Sequence, residues 1–451
     1  KNQKVVVVGA GLAGLTAAYR LQQKGMDVHV YEARNRVGGR VFSVNIGDSI
    51  AELGGQNFTD GGDAENIYRL IEEFGFELLE NKINPNLSYF TGEKLIPIHD
   101  LLRDKQFPRE NIKDQLDELA QKSQNMREVM QGLLSEDEPL YKALSVRLAA
   151  YEGAPVEKLS TTYIETLHHM LHGGISVVYQ NNNEEESHIT FLSIKEGNSR
   201  LPERMAQTLG SKLHLNMPLT KVSKNQNGSF ALTFQDDQKV EADILILAIP
   251  CPVYNEITFE ENAIPLDTLN TIKDVQYGTN AKIMVRLKNP PQKSIGFIND
   301  RIVCAFDASR SLVTLYFTDA ISKFSHDTID FVYNSERPIM DMGFGDQSLP
   351  SISPILAADQ TFYTYVGPVG HSWPNDPYAK GSYSYVAPGQ EKALMTITEI
   401  QGEMVKSLFA PIDQKLYFAG EHASILMDVP GTMEAACESG ERTARMVLNS
   451  F

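Results

Sequence analysis

The chain has 451 residues, of which 42% are hydrophobic and 22% are charged, so it is long enough for two globular domains with their own cores. Its formal net charge of −17 would repel the phosphates of DNA or RNA, which argues against a nucleic-acid partner. The acidic surface either keeps the protein in solution or steers a cationic small molecule towards a site.

The cysteine pattern and the hydropathy of the sequence favour one cellular compartment for the protein. Cys251, Cys304 and Cys437 are widely spaced and form no C-x-x-C or metal-ligand pattern, so we expect neither disulfides nor a metal site. A reducing compartment follows, most simply the cytoplasm. No apolar run approaches the roughly 20 residues of a membrane-spanning helix. Because the numbering begins at Lys1, a signal peptide trimmed before it would instead place the protein in the periplasm or outside the cell.

The N-terminus predicts a strand, a helix and a second strand. Residues 5–8 form a short apolar run, and residues 15–24 carry apolar side chains at helical spacing before Gly25, a natural helix stop. Residues 28–31 then predict the second strand, which ends before Glu32.

The predicted secondary structure changes in the middle of the chain. Residues from about 85 to 193 are rich in helical patterns, for example at 112–134 and 140–150. From about residue 214 to 242 the pattern predicts hairpins, because Asn227-Gly228 is a strong tight-turn signal between two alternating runs.

Further strands and one more helix complete the chain. The run at 244–249, stopped by Pro250, predicts a fully buried strand of a parallel sheet. A C-terminal helix is predicted at about 432–448. Other strands are predicted at residues 281–287, 312–317, 362–366 and 416–418. This alternation predicts two domains, each assembled from segments that are not contiguous in sequence.

A dinucleotide site is predicted at the first strand–helix turn. Gly9, Gly11 and Gly14 form a G-x-G-x-x-G, in which the first glycine permits the turn, the second admits a pyrophosphate and the third lets helix and strand pack closely. The helix N-terminus then offers N–H groups to the phosphates. Glu32 lies about 20 residues beyond the turn, where a carboxylate can accept hydrogen bonds from ribose hydroxyls.

A second glycine turn follows at once. Arg36 and Arg40 flank Gly38-Gly39, and guanidinium groups bind phosphate bidentately while glycines let backbone N–H groups approach it. The alternative interpretation is a basic surface loop.

Taken with these motifs, the sequence resembles the flavin amine oxidase superfamily, which includes monoamine oxidases, polyamine oxidases, L-amino-acid oxidases and histone lysine demethylases. The likeness covers nearly the whole chain, in order, and several ordered motifs are more specific than any one of them. Beyond Arg40 it rests on residues 52–56 (Glu-Leu-Gly-Gly-Gln), 196–202, 248–250, 416–422 and 431–441.

The resemblance implies FAD rather than NAD, and an α/β fold of two domains. A Rossmann-like FAD-binding domain of the glutathione-reductase type would comprise residues 1–80, 194–275 and 376–451. A discontinuous mixed α/β substrate domain would comprise residues 81–193 and 276–375 and cover the flavin ring.

The resemblance also implies which residues bind the cofactor. Gly420 and Glu421 would contact the pyrophosphate and ribityl region, the backbone of Met433 would face the pyrimidine edge of the flavin, and the backbone of Val222 would contact the adenine. The full set is Gly9, Gly11, Ala13, Gly14, Glu32, Ala33, Arg34, Gly39, Arg40, Gly54, Gly55, Gln56, Val222, Gly420, Glu421, Thr432 and Met433.

Lys282 is the first candidate catalytic residue. In the family, a lysine four residues after a glycine such as Gly278 holds a water against flavin N5. The local pattern leaves two alternatives, because Lys282 and Arg286 lie on the strand face opposite the apolar side chains, which could be exposed or could face the flavin. Next to a flavin, Lys282 would be partly desolvated, which favours its neutral form.

Trp373, the only tryptophan, precedes Ser382 by nine residues. In monoamine oxidases a tryptophan at this spacing packs near the flavin, and a cysteine at the Ser382 position bonds covalently to it. Because serine cannot form that thioether, we expect non-covalent FAD. The alternative for Trp373 is a packed core aromatic, which is compatible with that role.

Tyr383 matches one wall of the aromatic cage that guides the amine in this family. The other wall falls at Thr432, which is not aromatic, so the usual monoamine oxidase substrate pattern is in doubt. L-amino-acid oxidases hold the substrate carboxylate with an arginine that we would expect just after Gly54-Gly55. Residues 56–60 contain none, which makes an amino acid less favoured, although another arginine could serve.

The predicted function is therefore FAD-dependent amine oxidation. A hydride passes from the amine α-carbon to flavin N5, giving an imine and then an aldehyde or ketone, while dioxygen becomes hydrogen peroxide. The expected partners are a small amine and dioxygen, with a homodimer possible. No membrane anchor is expected, because the chain ends at Phe451, a few residues past Arg442. The alternatives are a C–C desaturase similar to protoporphyrinogen oxidase, an amine dehydrogenase with another electron acceptor, and a flavin-binding protein without turnover.

Overall fold

The structure is a computed structural model that describes residues 3–58, 64–81, 87–91, 93–105, 111–173, 191–288, 295–298, 302–318, 337–338, 364–427 and 431–451. Its α-helices are α1 (Leu12–Gln23), α2 (Glu65–Phe74), α3 (Ile98–Lys105), α4 (Ile112–Lys122), α5 (Met126–Gln131), α6 (Pro139–Glu152), α7 (Ile164–Gly173), α8 (Arg200–Gln207), α9 (Leu266–Asp274), α10 (Glu391–Met395) and α11 (Met433–Leu448).

The first strands are β1 (Lys4–Val8), β2 (Asp27–Tyr31), β3 (Ser43–Ile46), β4 (Ser49–Glu52), β5 (Leu78–Asn81), β6 (Ser88–Phe90), β7 (Leu95–Pro97), β8 (Phe191–Ile194), β9 (Leu213–His214), β10 (Leu219–Lys224), β11 (Phe230–Phe234), β12 (Lys239–Ala242) and β13 (Ile244–Leu247). The remaining strands are β14 (Thr258–Phe259), β15 (Gln276–Tyr277), β16 (Ala281–Lys288), β17 (Ile295–Ile298), β18 (Ile302–Asp307), β19 (Leu312–Phe317), β20 (Arg337–Pro338), β21 (Thr364–Ser372), β22 (Ser384–Tyr385), β23 (Ile397–Ile400), β24 (Glu403–Lys406) and β25 (Leu416–Phe418).

A parallel five-stranded sheet in the order β25-β13-β1-β2-β9 forms the base of the molecule. Strand β1 pairs with β13 on one side and β2 on the other, and both of its faces are covered. Such a strand has no solvent face, which explains the continuous valine run that predicted it. The predicted parallel strand at 244–249 is confirmed as β13.

Helix α1 begins at Leu12, earlier than the predicted residue 15. Gly14 is therefore helical in spite of its low helix propensity. A Cβ at Gly14 would lie 2.0 Å from the backbone oxygen of Gly9, so only glycine lets α1 pack this closely on the turn after β1. The role predicted for Gly14 in helix–strand packing agrees with this contact.

The predicted hairpin and C-terminal helix are confirmed. Strands β10 and β11 pair antiparallel across a turn in which Gly228 has a φ of 84°, in the left-handed region that favours glycine. Helix α11 ends at Leu448, as predicted, and Thr432 caps its N-terminus.

An eight-stranded sheet in the order β20-β21-β16-β19-β18-β17-β6-β7 forms the second layer, with α6 packed on β18, β17 and β6. The single helical stretch predicted at 112–134 is wrong, because α4 ends before Ser123, which is extended, and Asn125 caps a new helix by accepting from the Glu128 N–H. The strand predicted at 362–366 begins outside the described residues, and its described part belongs to β21.

The strands of the two sheets fall in different parts of the chain. Those of the parallel sheet lie within 1–80, 194–275 and 376–451, and those of the eight-stranded sheet within 81–193 and 276–375. The division into two domains at these positions stays a prediction. Across the described part of the chain, helices fall short of the length and apolarity needed to cross a bilayer.

Candidate active site

A cavity of about 750 Å³ is lined by residues of both sheets and of the loops that leave the carboxyl ends of the parallel strands. This volume lies in the range of small-molecule and cofactor sites. The structure brings all the predicted site residues to the cavity wall except two, Gly14 and Val222. Those that line it are Gly9, Gly11, Ala13, Glu32, Ala33, Arg34, Gly39, Arg40, Gly54, Gly55, Gln56, Lys282, Trp373, Tyr383, Gly420, Glu421, Thr432 and Met433.

Two glycine turns face each other at one end of the cavity. Gly9 has a φ of 108°, and a Cβ there would lie 2.2 Å from the Ala248 oxygen, so the turn after β1 needs glycine. Gly11 differs, because a Cβ there would meet no atom within 4 Å and would project into open space. Gly39 packs against Gly11, with a virtual Cβ 3.3 Å from the Gly11 Cα. The N-terminus of α1 is thus open to the approach of an anion, and helix N-termini in such turns are suited to bind phosphate.

The Glu32 carboxylate is fixed at the end of β2. One of its oxygens accepts from the Ala10 N–H at 2.9 Å and the other from the Arg34 N–H at 2.8 Å. These bonds hold the buried carboxylate at the cavity wall with lone pairs left over, which suits the acceptance of hydrogen bonds from ribose hydroxyls.

The arginines of the second turn have different roles. Arg36 does not line the cavity. Its guanidinium donates to the Gly39 oxygen at 2.8 Å and stacks on the Phe42 ring, so it stabilises the turn. The phosphate contact predicted for Arg36 is therefore wrong. Arg40 does line the cavity, where it donates to the Ser382 oxygen at 2.9 Å and to the Glu421 carboxylate at 3.1 Å.

The predicted contact between the Val222 backbone and the adenine is wrong, because Val222 does not line the cavity. It is fully buried in β10, pairs with β11 and β14, and its carbonyl accepts from the Glu260 N–H at 2.8 Å. Its backbone acceptor is thus already used within the sheet, and the side chain is core. The cavity wall at this end is formed instead by residues 217–220, just before and at the start of β10.

At the other end of the cavity, glycines again allow close packing. A Cβ at Gly54 would lie 1.8 Å from the Arg40 oxygen, and one at Gly55 would lie 2.9 Å from the Met433 Sδ. The loop after β4 therefore lies directly between the second glycine turn and the start of α11. Because these backbones line the cavity without side chains, a flat ring system can approach them.

Lys282 extends from β16 towards this loop. Its Nζ donates to the Glu52 oxygen at 3.0 Å and to the Gly54 oxygen at 2.7 Å, and lies 5.8 Å from the centre of the Tyr316 ring. Burial lowers the pKa of Lys282 from 10.5 to about 8, and the nearby Glu52 carboxylate offsets part of that lowering. The exposed-strand alternative for Lys282 is wrong, since the residue is buried on the cavity side of the sheet.

Trp373 docks on the same loop. Its Nε1 donates to the Leu53 oxygen at 3.0 Å, between the two carbonyls that Lys282 contacts. His371 packs on the indole with ring centres 4.1 Å apart. Trp373 is therefore both a buried aromatic and part of the cavity wall. The sequence had left both of these interpretations open, since one does not exclude the other.

His371, Asp376 and Arg34 form a buried network that the sequence did not reveal. The Asp376 carboxylate accepts from Arg34 at 2.7 Å and lies 2.9 Å from His371 Nε2. Burial would raise the pKa of Asp376, but the bonds from His371 and Arg34 outweigh burial and hold it below its usual range. The network thus links the end of the cavity at the two glycine turns to the ring of Trp373.

We expect Asp376→Asn to destabilise the protein by about 3 kcal/mol, because it leaves a buried guanidinium without its counter-charge. Since the folded pKa is depressed, the wild-type contribution is present above the unfolded pKa of about 4 and is lost only as the pH falls through the folded value. Urea unfolding at pH 7 measures the change. Asp413→Asn, which breaks an exposed pair with Lys224, is the control, and an equal loss in both variants would contradict the network.

Tyr383 stands against Gly431, where a Cβ would lie 2.9 Å from the ring, so the two predicted cage walls are adjacent. The Tyr383 hydroxyl donates to the Tyr151 oxygen at 2.7 Å. Tyr151 and Tyr316 also line the cavity and were missed. Tyr316 pairs with Lys282 across neighbouring strands, a register that no sequence pattern shows.

The Thr432 hydroxyl caps α11 by accepting from the Ala435 N–H at 3.1 Å. We expect Thr432→Ala to cost about 1 kcal/mol of stability, while Thr432→Ser, which keeps the acceptor, stays close to wild type. Thermal unfolding of both variants measures this. If serine destabilised the protein as much as alanine, the hydroxyl would not be acting as the cap.

The chain is similar to known proteins over nearly its whole length. The model of the flavin-containing amine oxidoreductase family matches residues 12–332 and 359–448. Flavin-containing amine oxidase B of Homo sapiens is 23% identical over 475 residues, covering 99% of this chain and 86% of its own. An L-amino-acid oxidase of Gloydius halys is 24% identical, covering 98% of this chain and 88% of its own. A solved putrescine oxidase bound to putrescine is 18% identical with a TM-score of 0.72, covering 99% of both chains, which shows a shared mixed α/β fold.

Proposed function

This chain belongs to the flavin-containing amine oxidoreductase family, and we propose that it is an amine oxidase that removes a hydride from the carbon next to the substrate nitrogen. Membership makes it an FAD-dependent oxidoreductase that acts on amines. In the proposed reaction the amine becomes an imine, water hydrolyses the imine to an aldehyde or ketone, and dioxygen accepts the electrons as hydrogen peroxide. The parallel sheet would be the core of a Rossmann-like domain of the glutathione-reductase type.

The contacts of Lys282 support this proposal most directly. A neutral amine carries two hydrogens, and its Nζ has two carbonyl acceptors, at Glu52 and Gly54. The lone pair of the neutral form is then left for the cavity, where it can take a proton from a substrate ammonium directly or through one water. A pKa of about 8 makes this group a base near neutral pH.

The remaining residues have positioning roles in the proposal. Tyr383 and Tyr316 offer aromatic faces and hydroxyls to the amine, and Trp373 closes the cavity beside the loop at Glu52–Gly54. Gly11, Glu32 and Arg40 would hold the pyrophosphate and ribose. When bound, FAD supplies the acceptor for the hydride.

FAD is held non-covalently. Ser382 lines the cavity, where its hydroxyl donates to Asn280 Oδ1 at 2.6 Å and cannot form a thioether. Within the described part of the chain, no cysteine lines the cavity. Acid denaturation and filtration should therefore release all of the yellow colour.

Two assays with mono-, di- and polyamines test the proposed function. One is a coupled peroxide assay in air, and the other measures reduction of a dye acceptor under argon. Amine-dependent peroxide supports an oxidase. Dye reduction without peroxide would replace it with a dehydrogenase, and turnover with no amine would refute amine oxidation.

A further inference from the structure

The loop after β4 offers its carbonyl oxygens to side chains from distant parts of the chain. Lys282 donates to the oxygens of Glu52 and Gly54. Trp373 donates to the oxygen of Leu53, which lies between them. The backbone of the two glycines in this loop is conformationally permissive, so hydrogen bonds have to fix the direction of the peptide groups. The next two oxygens of the loop are fixed by a residue outside the cavity wall.

That residue is Asn198, which is buried in the turn between β8 and α8. Its Nδ2 donates to the Gly55 oxygen at 3.0 Å and to the Gln56 oxygen at 2.9 Å, so both hydrogens of the amide are used. Its Oδ1 accepts from the Ile194 N–H at 2.9 Å, which fixes the orientation of the amide. Because Asn198 does not line the cavity, the oxygens of Gly55 and Gln56 are directed into the protein.

Asn198 also holds the start of the same loop. Its backbone N–H donates to the Glu52 carboxylate at 3.0 Å, and the Ser43 hydroxyl donates to that carboxylate as well. One residue thus spans the loop from Glu52 to Gln56, and the two oxygens that Lys282 binds lie inside this span. The position of the Lys282 acceptors therefore depends on Asn198.

The surroundings of Lys282 decide how readily its amine takes a proton. The titratable and charged groups beside it on the elements packed against it are Tyr316 of β19, His371 of β21, Arg286 of the same strand and Glu52 of the loop. His371 contacts the Asp376 carboxylate, and Arg286 is paired with Asp48. The Glu52 charge raises the pKa of Lys282, but burial has the larger effect and lowers it to about 8. The proton affinity of the amine thus depends mainly on whether water reaches it.

We propose that Asn198 is a positioning residue for Lys282, because it fixes the loop whose carbonyl oxygens hold the amine at the cavity wall and away from bulk water. The proposal rests on the proposed function, in which Lys282 is the base, and it gives a role to the motif at residues 196–202. Without the Asn198 side chain, the peptide groups of the two glycines can turn and water can enter between the loop and β16. The amine then regains the proton affinity of an exposed lysine.

Asn198→Ala and Asn198→Asp test this in the FAD-loaded enzyme. Both lose the two hydrogen bonds that the side chain donates to the loop, and both keep the backbone bond to Glu52. Aspartate also keeps an acceptor for the Ile194 N–H, so it preserves the turn if the alanine variant does not fold.

The first readout is the pH dependence of flavin reduction by one amine. Its midpoint should rise by at least about one pH unit in both variants, since loss of burial returns the pKa of Lys282 from about 8 towards 10.5. At pH 8 the rate of reduction should then fall about fivefold or more, because less of the amine is neutral.

The second readout does not depend on turnover. Trace acetylation of Lys282 by acetic anhydride, followed by mass spectrometry of its peptide, reports the neutral fraction of the amine at each pH. The midpoint of acetylation should rise by the same amount as the midpoint of flavin reduction.

Ser199→Ala is the matched control. Ser199 is the next residue and is also buried, but its hydroxyl accepts from the Ser43 N–H at 2.8 Å and does not contact the loop. This variant should lose stability and keep both midpoints. Unchanged midpoints in the Asn198 variants, or an equal rise in Ser199→Ala, would overturn the inference and leave amine oxidation standing. If no amine bleaches the wild-type flavin, the proposed function fails, and the acetylation midpoints still decide whether Asn198 positions Lys282.

Discussion

Lys282→Met is expected to slow reduction of the flavin by amine about 10²-fold or more while FAD stays bound. Methionine is unbranched like lysine and one atom shorter, but it cannot hold a proton or donate to the carbonyls of Glu52 and Gly54. Since these carbonyls belong to a loop that Trp373 also anchors through Leu53, the cavity should keep its shape. Stopped-flow absorbance under anaerobic conditions measures the rate.

The pH profile separates a base from a structural lysine. Burial lowers the pKa of Lys282 from 10.5 to about 8, so the neutral form is the minority at pH 7 and the majority at pH 9. Reduction by wild type should rise through pH 8, and the variant should keep only the dependence that comes from the ionisation of the substrate itself.

Arg286→Met is the matched control for Lys282→Met. Arg286 lies four residues further on the same face of β16 and pairs with Asp48, outside the cavity wall. In the Arg286→Met enzyme, the amine should reduce the flavin at close to the wild-type rate. A Lys282→Met enzyme with wild-type rates and an unchanged pH profile would remove Lys282 from the mechanism.

Gly11→Val is expected to give a folded protein that has lost FAD, with binding weakened at least about 100-fold, or about 2.8 kcal/mol. The backbone of Gly11 has a φ of −77°, which valine adopts readily, and its Cβ would meet no protein atom. The new side chain would instead fill the space at the N-terminus of α1 where the pyrophosphate would approach. FAD titration by fluorescence, with circular dichroism for the fold, measures both effects.

Gly14→Val provides the contrast. Its Cβ would collide with the Gly9 oxygen at 2.0 Å, so we expect it to disturb the fold as well as the cofactor. If Gly11→Val bound FAD as tightly as wild type, the cofactor would not lie at this turn.

Local features were predictable because they depend on short segments. The turn at Gly9–Gly14, the hairpin at Asn227-Gly228 and helix α11 are each specified by residues within a few tens of positions. The break between α4 and α5 was not predicted, because the helical period of the sequence continues through Ser123. Only Asn125, whose side chain accepts from the Glu128 N–H, marks the start of α5.

The cavity depends on contacts that join distant parts of the chain, and these were not predictable. Trp373 contacts Leu53 across 320 positions, and Arg34 contacts Asp376 across 342. The face of Lys282 could not be assigned from alternation alone, because both sides of β16 are covered. A register between residues 281–287 and 312–317 would have placed Tyr316 beside Lys282, but two predicted strands do not give their register.

We expect this cavity to bind FAD and to use it to oxidise an amine. The most direct test is to record the visible spectrum of the purified protein and then mix it anaerobically with mono-, di- and polyamines. We predict a yellow protein whose flavin band bleaches with at least one amine and returns on admission of air. A protein that neither carries nor takes up FAD, or a flavin that no amine bleaches, would contradict it.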